Sequence, residues 1–221
     1  MKAPSKLVNA RLSVQALKPT DWAVLEALFG ANGACGGCWC MSWRVPRGGK
    51  LWEESKGEPN KRAFKRLVQA GKVHGCLAFA DDEPVGWCCI GPRGDFPRLA
   101  RVKALQTAWD EHTWSITCFY IRSKWRNQGV ATALLKQAVK LTRELGAQTL
   151  EGYPVRSSPG WGKSIPAAFA WTGVNALFEN AKFVKLTTPS QSRDIFRKKF
   201  SPRSDPSGQR DAVVKSRRSA R

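Results

Sequence analysis

No stretch of the sequence approaches the roughly 20 uninterrupted apolar residues of a membrane-spanning helix. The opening segment, MKAPSKLVNARLSVQALKPTDW, is charged at intervals and lacks the apolar core of about 7–15 residues that a secretory signal needs. A disulfide framework is missing too: the seven cysteines, Cys35, Cys38, Cys40, Cys76, Cys88, Cys89 and Cys118, are odd in number and scattered, a pattern of reduced thiols. Acidic residues are scarce, 17 Asp and Glu against 37 Lys and Arg. These absences exclude a membrane partner and a secreted disulfide scaffold, and they lead to the expectation of a soluble, cytoplasmic protein.

What is present is enough for one sizeable core: 221 residues, 42% hydrophobic, with ten tryptophans. The excess of Lys and Arg gives a formal charge of +20, a field that attracts phosphate-rich cofactors, nucleic acid or acidic protein segments. Residues 201–221, SPRSDPSGQRDAVVKSRRSAR, hold six Lys and Arg against two Asp and no aromatic residue, and read as a disordered basic tail. About sixteen of the twenty excess charges therefore belong to residues 1–200, read as a single domain. The aromatics do not interleave with Lys and Arg as they do in RNA-binding motifs, so nucleic acid is open as a partner but not favoured.

Periodicity and punctuation order the elements. RLSVQAL (11–17) alternates as a strand; DWAVLEALFG (21–30) is a helix capped by Thr20 or Asp21 and stopped at Gly30. A loop rich in Gly, Cys and Trp follows. NKRAFKRLVQAG (60–71) places Phe64, Leu67 and Val68 on one helical face. HGCLAFADDEPVGWCCIGP is a hairpin turning at DDEP, FPRLARVKALQTAWDE has helical tendency, and WSITCFYI is a strand. A helix begins near Gly129 with Val130, Leu134, Ala138 and Leu141 in phase and ends at Gly146. AQTLEGYPV is a strand, PAAFAWTGVNALFENAK a helix led by Pro166, and FVKLTT and RDIFRKKF are closing strands. The order predicts a mixed α/β sheet covered by helices.

The turn RNQGVA, Arg126 to Ala131, joins a strand to a long helix. Free amides at a helix N-terminus, the helix dipole and a nearby arginine favour an anion, and small residues let a phosphate come close. The turn is not a Walker loop and lacks the three glycines of a dinucleotide fingerprint. With its preceding strand and following helix it resembles the [QR]-x-x-G-x-[GA] acyl-CoA loop of the GNAT superfamily of N-acetyltransferases. NALFENAKFVKL (175–186) is similar to that family's next helix and strand.

The resemblance implies a largely antiparallel central sheet, flanked by helices, with a splay between the fourth and fifth strands. It implies acetyl-CoA as acyl donor and an amine as acceptor, either a small molecule or a protein amino group. Carried over, Phe119, Tyr120 and Ile121 face the pantetheine arm. Arg126, Gln128, Gly129, Val130, Ala131 and Thr132 hold the diphosphate. Asn175 and Phe178 lie near the distal arm. The family often has a tyrosine where this chain has Phe178, and often a glycine where it has Lys182. Glu151 and Tyr153, two apart on a strand and so on one face, are the candidate base and proton donor. In CGGCWCMSWR, Trp39, Trp43 and Arg44 are candidates for the acceptor wall; Cys35, Cys38 and Cys40 have a spacing that admits zinc, but packing as small hydrophobes is preferred and no metal is assigned. An inactive acyl-CoA sensor, or a basic nucleic-acid-associated module on the same fold, is the alternative. A homodimer is compatible with either.

Overall fold

The computed structural model describes residues 10–45, 50–156, 165–166 and 169–201. The expected tail, after Ser201, lies outside the described residues. Among these residues seven strands form one sheet: β1 (Leu12–Ala16), β2 (His74–Ala80), β3 (Glu83–Pro92), β4 (Thr113–Ile121), β5 (Thr149–Gly152), β6 (Val184–Leu186) and β7 (Ile195–Lys199). Their spatial order is β1-β2-β3-β4-β5-β7-β6, with every neighbouring pair antiparallel except β4–β5, which run parallel. This is the expected mixed, largely antiparallel sheet. Among the described residues six α-helices surround it: α1 (Trp22–Phe29), α2 (Lys50–Ser55), α3 (Glu58–Gln69), α4 (Pro97–Arg101), α5 (Val130–Glu144) and α6 (Asn175–Asn180).

Strand alternation sends successive side chains to two separate cores. On one face Leu77, Trp87 and Cys89 meet Leu25 and Phe29 of α1, Phe64 and Val68 of α3, and Trp39 and Trp43 of the cysteine-rich loop. On the other, Cys76, Ala78, Cys88 and Ile90 meet Val130, Leu134 and Ala138 of α5. The helix stops act as the sequence suggests: Gly30, Gly71 and Gly146 all have φ between 62° and 88°, a region other residues enter at a cost. Asp21 precedes α1, but its carboxylate accepts from Lys18 N at 2.8 Å and caps the short turn before the helix instead.

Two expectations change. The helix led by Pro166 is shorter: a 3-10 turn, Ala170–Thr172, is broken by Gly173 (φ 87°), and α6 starts only at Asn175. The segment Lys50–Ser55, given no element from sequence, is the helix α2, a short one with no buried residue and so without a readable apolar stripe.

Candidate functional site

β4 is paired along only part of one edge. Its register with β5 runs from Thr113↔Thr149 to Ile116↔Gly152 and ends there. Of the remaining residues, Cys118–Ile121 pair with β3 on the other side, and none of Thr117–Ile121 pairs with a strand on this one among the described residues. A bulge sits at the divide: Cys118 faces Cys89 and Ile116 faces Ile90, leaving Thr117 as the extra residue, which bends a strand locally. β5 is turned aside by Tyr153-Pro154, where proline offers no N–H to a ladder, and by the Phe178 ring. A Cβ added to Gly152 would lie 2.1 Å from Phe178 Cε1, so only a glycine lets that ring in. Phe178 is fully buried among Phe119, Phe183 and Phe196.

Beyond the open edge the chain enters the RNQGVA turn. A 3-10 turn, Ser123–Trp125, is anchored by the buried Trp125. Asn127 (φ 59°) and Gly129 (φ 83°) both take left-handed conformations, which Asn and Gly tolerate best. Two staples hold the turn: Arg126 Nε donates to Ile121 O at 3.0 Å, and Gln128 Nε2 to Lys124 O at 2.7 Å. The first amides of a helix have no intrahelical acceptor, and the first turn of α5 carries no acidic residue to answer its dipole. A Cβ on Gly129 would meet nothing within 4 Å. Arg122 and Lys124 are both tied to Glu83 at 2.8 Å, whereas Arg126 has no carboxylate partner among the described residues.

The open edge and the turn meet at a cavity of about 670 Å³, a size typical of small-molecule and cofactor sites. Of the residues singled out from sequence, Phe119, Tyr120, Ile121, Arg126, Ala131 and Thr132 line it. Gln128, Gly129 and Val130 build the turn without facing the cavity. Asn175 and Phe178 do not line it either: Asn175 Nδ2 donates to Asp194 at 2.6 Å, and Phe178 belongs to the core. The other wall is Ala34 and Cys35 of the cysteine loop, with Trp171, Gly173 and Leu177 beyond β5. From sequence Cys35 is noted only for its spacing to Cys38 and Cys40, and the others are not singled out; AWTG, a tryptophan ahead of a glycine break, is the available signal. No Asp, Glu or His lines the cavity among the described residues.

Glu151 and Tyr153 share one face, as their spacing requires, but the structure seals both from solvent, at 0% exposure. Glu151 Oε1 accepts from Thr107 Oγ1 at 3.0 Å and from Arg197 Nε and Nη2 at 3.0 and 2.5 Å. Its Oε2 accepts from Arg93 Nη1 at 2.7 Å and Tyr153 Oη at 2.8 Å. Five donors surround the carboxylate, the candidate base of the sequence, and it does not line the cavity. The Tyr153 hydroxyl also bonds Ser115 and Arg93. Burial first, and the neighbouring Glu151 charge second, push that phenol well above its ordinary range, so it holds its proton.

The cysteine loop is largely core. Trp39 stacks on Trp22 at 5.7 Å between centroids. Arg44 lies over Phe96 at 4.7 Å and 3.8 Å from Asp95. Trp39 and Arg44 do not line the cavity: Trp39 packs in the core on the α1 and α3 side of the sheet, and the Arg44 guanidinium is held over Phe96. Trp43 lies 5.8 Å from Trp171, the cavity residue, and 6.5 Å from Tyr153. Cys40 Sγ accepts from Trp87 Nε1 at 3.1 Å, and burial pushes the Cys76 thiol up to about 12. Among the described residues no three of Cys, His, Asp and Glu gather as a metal site.

Comparison with known proteins bears on this geometry. The family described as "Acetyltransferase (GNAT) family" matches residues 40–154. No curated protein sequence matches the chain. The chain is similar in fold to YncA of Salmonella typhimurium, solved with its cofactor acetyl-CoA: TM-score 0.52 at 9% identity, over 88% of this chain and 97% of that one. It is similar also to an acetyltransferase of the GNAT family from Streptococcus pneumoniae: TM-score 0.51 at 14% identity, over 86% and 100% of the two chains.

Proposed function

Because the chain belongs to the GNAT family of acetyltransferases, we propose that it is an acetyl-CoA-dependent N-acetyltransferase, acting on an amine by direct attack with both partners bound. The observation that carries this reading is a juxtaposition: the β4 edge without a strand partner and the Arg126–Ala131 turn open onto one cavity. The residues present fit the donor. An unpaired strand edge offers backbone N–H and C=O groups to an extended, amide-bearing arm, and the α5 N-terminus with Arg126 suits a diphosphate. The likeness to YncA, which holds acetyl-CoA, supports the same donor.

On this reading Phe119, Tyr120 and Ile121 run beside the arm. Amides from Gln128 to Ala131, with Arg126 and the Thr132 hydroxyl, hold the diphosphate. Bound acetyl-CoA supplies an acetyl thioester, whose C–S bond is exchanged for the amide C–N bond while the amine's proton ends on the thiol sulfur. Of the chain's two tyrosines, Tyr120 lines the cavity and Tyr153 does not. We therefore assign the proton-donor role to Tyr120, its ring held edge-on against Phe29 at 5.6 Å. With no carboxylate or imidazole in the described lining, the amine gives up its proton through water. Glu151 and Tyr153 serve instead as a buried lock between β4, β5 and β7.

CoA release, followed with a panel of amines, tests the reading. Turnover with at least one amine, lowered about 10²–10⁴-fold in Tyr120→Phe, is expected; full activity in Tyr120→Phe removes that assignment. The lack of a carboxylate or imidazole in the described cavity lining favours a second reading, an acyl-CoA sensor. Binding of acetyl-CoA without turnover on any amine would select it.

A further inference from the structure

A second, smaller cavity of about 210 Å³ adjoins the first and shares Trp171 with it. Its walls come from distant parts of the chain: Ser42 and Trp43 from the cysteine loop, Arg98 from α4, and Ser190 and Arg193 from the approach to β7. Two guanidiniums are therefore brought to one small space. Arg98 Nη1 donates to Ser42 O at 3.2 Å and Ser42 Oγ at 3.3 Å. Arg193 Nη1 donates to Tyr153 O at 3.3 Å and to Thr172 Oγ1. Each Cζ lies 5.8 Å from the Trp43 ring centroid, and that of Arg193 lies 4.9 Å from Trp171.

What is missing is negative charge. Arg93, Arg122, Arg156 and Arg197 all reach a carboxylate. Arg98 and Arg193 reach none among the described residues; their hydrogen bonds go to backbone carbonyls and hydroxyls. Burial, and then the charge of Arg98, draw the Arg193 pKa down to about 10. The buried indole N–H of Trp43 has no acceptor either. Several unused donors around a half-buried space, two of them cationic, carry a desolvation cost that a bound anion would offset.

We propose that this cavity is the acceptor's anion subsite, so that the amine substrate carries an oxyanion group, held by Arg98 and Arg193 against Trp43, while its nitrogen reaches past Trp171 toward the splay. The inference rests on the acetyltransferase reading for the word acceptor; the oxyanion site itself does not. It narrows the acceptors to small anionic amines, because two unpaired cations repel a polyamine or an aminoglycoside-like molecule, and the cavity is too small for a folded protein's surface. A carboxylate and a phosphonate share the chemistry.

The test uses the full chain with saturating acetyl-CoA and matched acceptors: amino acids, their uncharged amides, and aminoalkylphosphonates. An ionic hydrogen-bonded contact predicts about ten- to a hundredfold higher kcat/KM for the acid than for its amide. That ratio should collapse in Arg98→Gln and Arg193→Gln, chiefly through KM, while stabilisation by acetyl-CoA shows that both variants fold. Preference for the phosphonate over the carboxylate assigns the subsite to the phosphorus oxyanion. Equal or better use of amides or polyamines by the wild type, or a ratio that survives both substitutions, overturns the proposal. If no amine turns over, calorimetry of the amino acids, amides and phosphonates on the wild type decides: anion-dependent binding lost in the arginine variants upholds the subsite even if the transferase reading fails, and indifference to charge overturns it.

Discussion

The two halves of β4 treat polar groups in opposite ways. From Trp114 to Ile116 the strand is paired on both edges, and there Ser115, Glu151, Tyr153, Arg93 and Arg197 bond one another. From Thr117 to Ile121 one edge has no strand partner among the described residues, and around it Arg126, Arg98 and Arg193 reach no carboxylate and the Trp43 indole N–H no acceptor. The lesson is about how to read polar residues near a cleft. A saturated cluster is finished as structure, and a strong chemical residue inside it has nothing left to offer a substrate. An unsatisfied cluster is finished only by a ligand.

The largest effect that could break this contrast is at Glu151. Removing it by Glu151→Ala leaves the buried Arg93 and the largely buried Arg197 facing each other, and should cost about 3–5 kcal/mol of stability, read from the denaturant midpoint. A variant that is as stable as wild type but has lost CoA release would return Glu151 to catalysis. Next in size is Phe178→Tyr. The ring is fully buried, with its edge against Gly152 and with Phe119, Phe183 and Phe196 around it, so the added hydroxyl enters a filled core. Overpacking of this kind costs about 1–3 kcal/mol, with no gain in CoA release. A rise in turnover would mean the ring reaches the cavity after all.

The smallest effect is in acid. Asp194 is buried, which alone would raise its pKa, but bonds from Lys185, Asn175 and Arg156 outweigh that and hold it lowered. A carboxyl lowered in the folded state contributes stability that is complete above its unfolded value, about 3.9, and is lost as pH falls through the folded value. Asp194→Asn should therefore flatten the acid limb of the stability curve below about pH 4 while lowering stability near neutrality. An unchanged acid limb would show that the α6 and β7 corner does not depend on this charge.

Much of the fold was legible because its signals are local. Period-two and period-3.6 patterns between glycines and prolines marked all seven strands and the two long helices α3 and α5. The glycine turn was legible for the same reason: strand, turn and helix are contiguous. What could not be read was any partnership across distance. Arg93 meets Glu151 58 positions away, and Arg98 meets Trp43 and Arg193 only after three segments fold together. Phe178 and Asn175 were placed near the arm by the resemblance alone; Phe178 packs in the core and Asn175 bonds Asp194, partnerships that no local pattern shows.

The central claim is that the Arg126–Ala131 turn and the open half of β4 form an acetyl-CoA site. Thermal unfolding with acetyl-CoA, CoA and desulfo-CoA, on wild type and Gly129→Trp, tests it most directly. At φ 83° any side chain at position 129 is strained, and an indole there projects into open space ahead of α5. A ligand at about 100 times its Kd should add roughly 2.7 kcal/mol to the wild type and little to a variant that still unfolds cooperatively. Equal stabilisation of both proteins, or of neither, would contradict the account.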